Sequence, residues 1–438
     1  MKKLLALLLA LSMMLALAAC GGDTSGDTTG DTGDAAATET EDTTSADDGA
    51  EAEETGDSAE TTGTAIDPSE IQIGVIYIGD EQEAYTANHY NGLVAACEAL
   101  GIDPDTQVIN RWTVPESEAA ADALYELADS GCDIIFATSF GHESYVLQVA
   151  AEYPDIQFFH ATGYQAATSE LTNVHNYFAD IYQARFLGGV AAGMKLQEMI
   201  DNGTITEDQA KVGYVGAYPF AEVISGFTSF YLGVRSVCPS AVMQVTYVNS
   251  WSDAALESEA AQQLIADGCV IISQHSDTTG PATVCQTAQE SGSEVYFVGY
   301  NIDMTAVAPD ACLTSAKINW NVPMQHAIEA VLNGEAAAVD ASYGLEEEAV
   351  EITPLNTAII AEGTQEAVDA DTAAIIDGSL QVFDTSTFTV GGETITSTVD
   401  IDGYNGNEYI VDGAFAESTL ASAPAFAFII DGVTAPEA

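Results

Sequence analysis

The chain has 438 residues, with 68 Asp and Glu against 8 Lys and Arg, a formal charge of −60. Setting aside Lys2 and Lys3 leaves six basic residues: Arg111, Arg185, Lys195, Lys211, Arg235 and Lys317. Neutralising phosphates needs clustered cations, so nucleic acid is excluded as a partner and polyphosphate ligands are disfavoured. Acidity of this size reads as solubility outside the cell.

Lys2 and Lys3 precede an apolar stretch, Leu4 to Ala19, broken only by Ser12. That length suits a signal-peptide core and is short for a bilayer span. Leu17-Ala18-Ala19-Cys20 follows, with the small residues and the thiol of a bacterial lipobox. The reading is a signal peptide over 1–19 and a lipidated Cys20 that ties the protein to the membrane; the alternative is an uncleaved anchor helix. From Cys20 to residue 65 the chain lacks aromatic, Lys and Arg residues. Such a segment cannot bury enough apolar surface to offset its ordering entropy, and its like charges extend it into a tether.

The remaining length is too great for one compact core and predicts two lobes. β-Branched runs alternate with helical patterns from residue 71. Strands are expected at 71–78, 106–111, 132–137, 156–160 and 173–177, with helices at 88–100, 116–130 and 142–153. This βαβ rhythm predicts a doubly wound α/β lobe with a parallel sheet. A long small-residue pattern over 181–200 crosses to the second half. The rhythm then restarts, with strands at 211–215, 241–248, 270–273 and 295–300. Ser130-Gly131-Cys132 and Asp267-Gly268-Cys269 occupy the same place in the two halves, and Cys97 matches Cys238. An internal repeat of this kind predicts a bilobal fold. Lobe 1 is assigned 66–180 and 308–335, and lobe 2 is assigned 181–307 and 336–438. The last part of lobe 2 is a C-terminal β extension with strands at 388–390, 394–399 and 409–411. The six cysteines besides Cys20 permit disulfides or buried free thiols.

In open α/β sheets ligands bind beyond the carboxyl ends of the strands. The turns there repeatedly place an aromatic beside a small polar residue. Tyr85, Thr86 and His89 lie in the first, Ser139 and Phe140 in the third, and Tyr164 after the fourth strand. The second half offers Tyr218, Trp251, His275 with Asp277, and Asp303, and Trp320 follows the returning strand. Flat apolar faces with hydroxyl, amide and carboxylate partners suit a heteroaromatic ring and a sugar. Each residue also has a plainer reading. Tyr85 and Phe140 could pack lobes, Trp251 could cap a helix turn, Asp303 could cap the turn after it, and Arg185 could pair an acid such as Asp180. His275 and Asp277 have general-base chemistry within reach, yet no nucleophile accompanies them.

Thr138-Ser139-Phe140-Gly141, His160 to Tyr164, Asn249-Ser250-Trp251, Gln274-His275-Ser276-Asp277 and Gly299-Tyr300-Asn301 with Asp303-Met304 occur in order. Together they resemble the basic membrane protein family over roughly residues 70–350. The resemblance implies a type I periplasmic-binding fold, a lipoprotein that hands a purine nucleoside or purine base to an ABC permease, and no catalytic residue, cofactor or metal. It further implies that Tyr85 stacks on the base, Phe140 forms the opposite wall and Asp303 holds ribose hydroxyls; His89 and Trp320 match positions of the family. The chain departs from the pattern in two places. Thr86 replaces the Asn of the nucleoside-specific signature, and Lys317 is one residue out of register. The competing readings are a binding protein for another neutral solute, such as a sugar, and a surface nucleoside hydrolase. The hydrolase would need clustered aspartates near the first strand, where Asp80 stands alone.

Overall fold

The computed structural model describes residues 63–436. The signal peptide, the Cys20 lipidation site and the tether up to residue 62 lie outside the described residues. In chain order the main strands are β1 (Ile73–Ile76), β2 (Val108–Arg111), β3 (Ile134–Ala137), β4 (Gln157–Ala161), β5 (Val174–Ala179), β6 (Lys211–Gly216), β7 (Val242–Tyr247), β8 (Ile271–His275), β9 (Tyr296–Tyr300), β10 (Cys312–Ile318), β11 (Asp340–Tyr343) and β12 (Val350–Ile352). The main helices are α1 (Ala84–Leu100), α2 (Glu118–Asp129), α3 (Glu143–Ala150), α4 (Ile181–Asp201), α5 (Ala221–Val237), α6 (Ala254–Ala266), α7 (Gly280–Glu290), α8 (Asn321–Asn333) and α9 (Thr364–Ile376).

Every residue of β1 and β3 is buried. Continuously apolar strands need cover on both faces, which parallel sheets with flanking helices provide. The first sheet runs β11-β5-β4-β3-β1-β2, with every pairing parallel. The second runs β12-β10-β9-β8-β6-β7, extended past β7 by a short parallel strand, Val433–Thr434. Only the β10–β12 pairing in it is antiparallel. The two orders are the same walk repeated, as the internal repeat predicts. Gly131 (φ 85°) and Gly268 (φ 91°) occupy matching left-handed positions ahead of β3 and β8, where a Cβ would be strained. In each sheet the chain steps from the first strand to one neighbour and then back to the other. That reversal opens a crevice at the strands' carboxyl ends.

The chain passes between lobes after β5, after β10 and after β11. This corrects the boundaries read from sequence. Residues 312–318, expected in lobe 1, pair with β9 in the second sheet. They are buried on both faces there, and Thr314 donates to the Thr353 carbonyl oxygen at 2.6 Å. Only α8 then packs on α1, and β11, expected in lobe 2, adds an edge strand beside β5. α4 is shared. Ile181 and Ala184 belong to the first lobe's core, and Phe186, Leu187 and Val190 to the second's.

The C-terminal segment is less regular than expected. Beyond α9 it holds a two-stranded ribbon, Ile410–Val411 with Ala414–Phe415. Residues 388–390 and 394–399 form no strand beyond a Val390–Glu393 bridge around Gly391-Gly392. Acidic side chains replace a ladder here: Asp431 accepts from the Gly391 and Gly392 N–H groups, and Glu408 from those of Thr398 and Ile410. The segment is held down by its aromatics. Phe383, Phe388, Tyr404, Phe415, Phe426 and Phe428 join Phe230 and Tyr231 of α5 in one core. All six described cysteines are buried free thiols. Burial pushes Cys97, Cys132 and Cys269 up to about 12, so they behave as small apolar residues.

Candidate functional site

The turn after β1 is set by Glu83. Its carboxylate accepts from the N–H groups of Tyr85 (2.8 Å) and Thr86 (2.9 Å) and so caps α1. Thr86 is fully buried, and its hydroxyl accepts from Gly79 N–H at 3.1 Å. Those bonds aim Tyr85 between the lobes, where its hydroxyl donates to the Thr138 carbonyl oxygen at 2.7 Å. In the turn after β3, Ser139 Oγ and Gly141 N–H both donate to Glu116, each at 2.7 Å. The loop after β4 is gathered by buried Glu143, which accepts from Tyr164 and Gln165 N–H at 2.7 Å. Within that loop Thr162 adopts φ 66°, a costly conformation for a β-branched residue and one that clusters at functional sites.

These turns face those of the second sheet across a cavity of about 340 Å³, counting the part open to solvent. Lobe 1 lines it with Ile78, Tyr85, Ser139, Phe140 and Thr162; lobe 2 lines it with Glu222, Trp251, His275, Asp277 and Tyr300. At the mouth, Phe140 of lobe 1 lies 5.6 Å from Phe220 of lobe 2. Tyr164 stacks on Phe140 at 6.2 Å, and Tyr218 stacks on Phe220 at 5.1 Å and meets Trp251 at 5.2 Å. The mouth is therefore an aromatic row contributed by both lobes.

The floor is acidic. Burial pushes the Glu222 carboxyl up to about 7, Arg185 opposes that rise and Glu116 adds to it. Asp277 is held well above the usual carboxylate range by burial and by the nearby charges of Glu83 and Glu257, although Asn301 donates to it at 2.9 Å. Burial, and then the Arg185 charge, hold His275 well below its ordinary value, so it is neutral and hydrogen-bonds Glu222 at 3.2 Å through Nε2. Arg185 does not pair Asp180, which bonds Ser342 instead. Its Nη1 donates to Tyr214 Oη at 2.6 Å and to the Gln274 carbonyl oxygen at 3.0 Å, and its guanidinium lies 3.9 Å over the Tyr300 ring.

Of the residues read from sequence, Tyr85, Ser139, Phe140, Trp251, His275 and Asp277 come together in the cleft. Tyr164 and Tyr218 stand at its mouth. Four lie elsewhere. Thr86 is used up in the β1–α1 turn. His89 and Trp320 stack on each other at 3.7 Å inside lobe 1, and burial lowers His89 to about 3. Asp303 is exposed, and its Oδ1 accepts from both the N–H and the hydroxyl of Thr305; it caps a turn and does not reach the cleft. Sequence reasoning passed over Ile78, Thr162, Glu222 and Tyr300. Thr162 and Tyr300 stood inside the quoted turns. Glu222, in the first turn of α5, looked like an ordinary helix-start acid.

No helix among the described residues is long and apolar enough to cross a membrane. Residues 72–382 match the model of the Bmp family, described as ABC transporter substrate-binding protein PnrA-like. A purine-binding protein of Brucella abortus is 32% identical over 322 residues, 73% of this chain and 85% of that protein. A Haloferax volcanii protein provisionally named as an ABC transporter glucose-binding protein is 33% identical over 278 residues, covering 63% of this chain and 66% of its own. An ABC transporter solute-binding protein of Aeropyrum pernix shares the fold, with a TM-score of 0.60 at 18% identity over 72% of this chain and 93% of that one. With this fold, this inter-lobe cleft and a match over most of its length, the chain belongs to the PnrA-like (Bmp) family of ABC transporter substrate-binding proteins.

Proposed function

We propose that the protein is tethered outside the cell by a lipid on Cys20 and captures a purine nucleoside or purine base between its lobes for delivery to an ABC permease. The observation that carries this reading is the cleft itself. Aromatic residues wall it from both lobes, carboxylates stand on its floor, and no Lys or Arg lines it. A planar ring gains by sliding between such walls, and hinge closure would bury it there. The purine-binding Brucella relative supports the choice of ring. The Haloferax relative keeps a sugar in view as the second reading, since sugars also lie on aromatic faces.

A thermal-shift panel of adenosine, guanosine, inosine, adenine, guanine, ribose and glucose separates the two. Stabilisation by purines with none from glucose or ribose is the expected result, because a ligand that binds only the folded state raises Tm. Stabilisation by the sugars alone would sink the purine reading. Labelling with radioactive palmitate, lost in Cys20→Ala, checks the anchor.

A further inference from the structure

Residues 383–436 lie beyond the family match, which ends at residue 382, and they touch both lobes. Their far end is stitched to lobe 2: Val433 pairs with Met243 on β7, and Met243 N–H donates to the Gly432 carbonyl oxygen at 2.9 Å. Phe426, fully buried, belongs to the same lobe's core. The stretch before it closes on itself, because one Glu417 carboxyl oxygen accepts from the Ala425 and Phe426 N–H groups at 3.1 and 2.9 Å. That closed loop carries Ser422, 2% exposed, across to lobe 1, where its N–H donates to Asp340 Oδ1 at 2.8 Å. Asp340 opens β11, three residues before Tyr343. The Tyr343 carbonyl oxygen accepts from Asp180 N–H at 2.8 Å, which joins two of the crossings between lobes. At about 3.3 Å per residue the Ser422 contact stands about 10 Å from that hinge. An opening of about 15° would carry Asp340 roughly 3 Å off Ser422, past hydrogen-bond reach. The lobes are closed in this structure, with Phe140 and Phe220 meeting across the mouth at 5.6 Å. The contact is therefore made in the closed arrangement and breaks when the cleft opens, and a contact made in one state raises the population of that state. We propose that the C-terminal segment is a strap that holds the lobes closed, through Ser422 on Asp340, so that entry and release of the solute both wait on its opening. The inference concerns the hinge and holds whichever solute the cleft takes.

Distances between nitroxide labels, measured by pulsed dipolar spectroscopy without ligand, test it. The labels go on Glu118→Cys and Ala255→Cys, exposed at the N-terminal ends of α2 and α6 on either side of the mouth. The full chain carries Cys20→Ala so that Cys20 takes no label, and the six described thiols are buried. With the strap intact the short, closed distance should predominate over a minor longer one. In Asp340→Ala the open component should gain about tenfold against the closed one, since a hydrogen bond to a charged group shifts an equilibrium by about that much. Asp340→Asn keeps an oxygen for the Ser422 N–H and should stay near the intact strap. Ser422→Pro removes the donor from the other side and should match Asp340→Ala, so either variant reads the contact if the other fails to fold. A protein with the intact strap that is mostly open overturns the inference without any variant. An open fraction unchanged in Asp340→Ala or Ser422→Pro overturns it too, and both results leave the transport reading standing.

Discussion

Tyr85 and Asp303 were equal candidates in the sequence, and the structure separates them. Tyr85 lines the cleft, and its hydroxyl anchors it to the third-strand turn of the same lobe. Asp303 holds Thr305 on the surface. Tyr85→Ala should weaken purine binding by about tenfold or more, given the loss of a stacking face. Asp303→Ala should leave affinity within about twofold and cost only a surface cap, about 1 kcal/mol or less. Titration of the two variants side by side decides this, and a large loss of affinity in Asp303→Ala would move the site. Glu222 adds a pH dependence. It faces Arg185 from α4, His275 from β8, Tyr300 from β9, Asp277 from the turn after β8, and Glu116 across the cleft. With its carboxyl near 7, the ionised form, which accepts hydrogen bonds from ligand N–H groups at both oxygens, grows as pH rises. Adenine affinity should therefore climb by up to about tenfold between pH 6 and pH 8 and then level. A flat profile would show that Glu222 does not meet the ligand.

The turns were legible because the carboxyl ends of parallel strands are where binding groups gather, whatever the ligand. What could not be read was which turn residues spend their polar atoms on the turn itself. Thr86 and Asp303 do so, and nothing in their spacing distinguishes them from Asp277. Glu222 stayed hidden for the converse reason, since an acid in a first helical turn has an adequate local explanation.

At the scale of elements, the α4 pattern of small residues was legible and its partner was not. Gly189 of α4 meets the backbone of α5: a Cβ there would lie 2.1 Å from the Phe230 carbonyl oxygen. Gly233 of α5 returns the contact, with a Cβ 2.1 Å from the Phe186 carbonyl oxygen. Each glycine lets the other helix in. Gly189→Ala and Gly233→Ala must push the helices apart, which should cost roughly 2–3 kcal/mol each. Because both changes separate the same pair, the double variant should lose less than the sum. Melting curves of the three variants test this, and strictly additive losses would mean that the helices do not move as a pair. β10 shows the limit of pattern reading. Its sequence mixes Thr314, Ser315 and Lys317 with apolar residues, and no periodicity states in which sheet it lies. The C-terminal segment shows another limit. Its β-branched residues suggested strands, while Asp431 and Glu408 took the backbone N–H groups that a ladder would have used.

At the scale of the whole molecule, the lobes are joined by the three chain crossings, and the C-terminal segment beyond the family match adds a further tie. It packs its aromatics on α5 of the second lobe, and Ser422 N–H donates to Asp340 on β11 of the first at 2.8 Å. Its pivot is Glu417, buried, accepting from the N–H groups of Ala425 (3.1 Å) and Phe426 (2.9 Å). Burial pushes this carboxyl from 4.5 to about 7, against those two donors, and the charge of Asp180 adds to the rise. Asp180 itself is raised to about 6 by burial. A carboxyl raised in the folded state contributes stability that is fully present below about pH 4.5 and is lost as pH climbs through 7. Buried histidines run the other way. His89 is lowered to about 3 and His142 to about 4, mainly by burial, so their contribution is present above about pH 6.5 and lost on acidification. The two sets leave a broad stability maximum between roughly pH 4.5 and 6.5. Glu417→Gln isolates one arm, since the amide keeps an oxygen for Ala425 and Phe426 and cannot ionise. It should raise Tm at pH 8, where the wild-type carboxyl ionises at a cost of up to about 3 kcal/mol. At pH 5, where that carboxyl is already neutral, Tm should change little. Calorimetry at the two pH values checks this, and an equal shift at both would mean that the Glu417 carboxyl titrates alike in the folded and unfolded states and does not couple the C-terminal tie to pH.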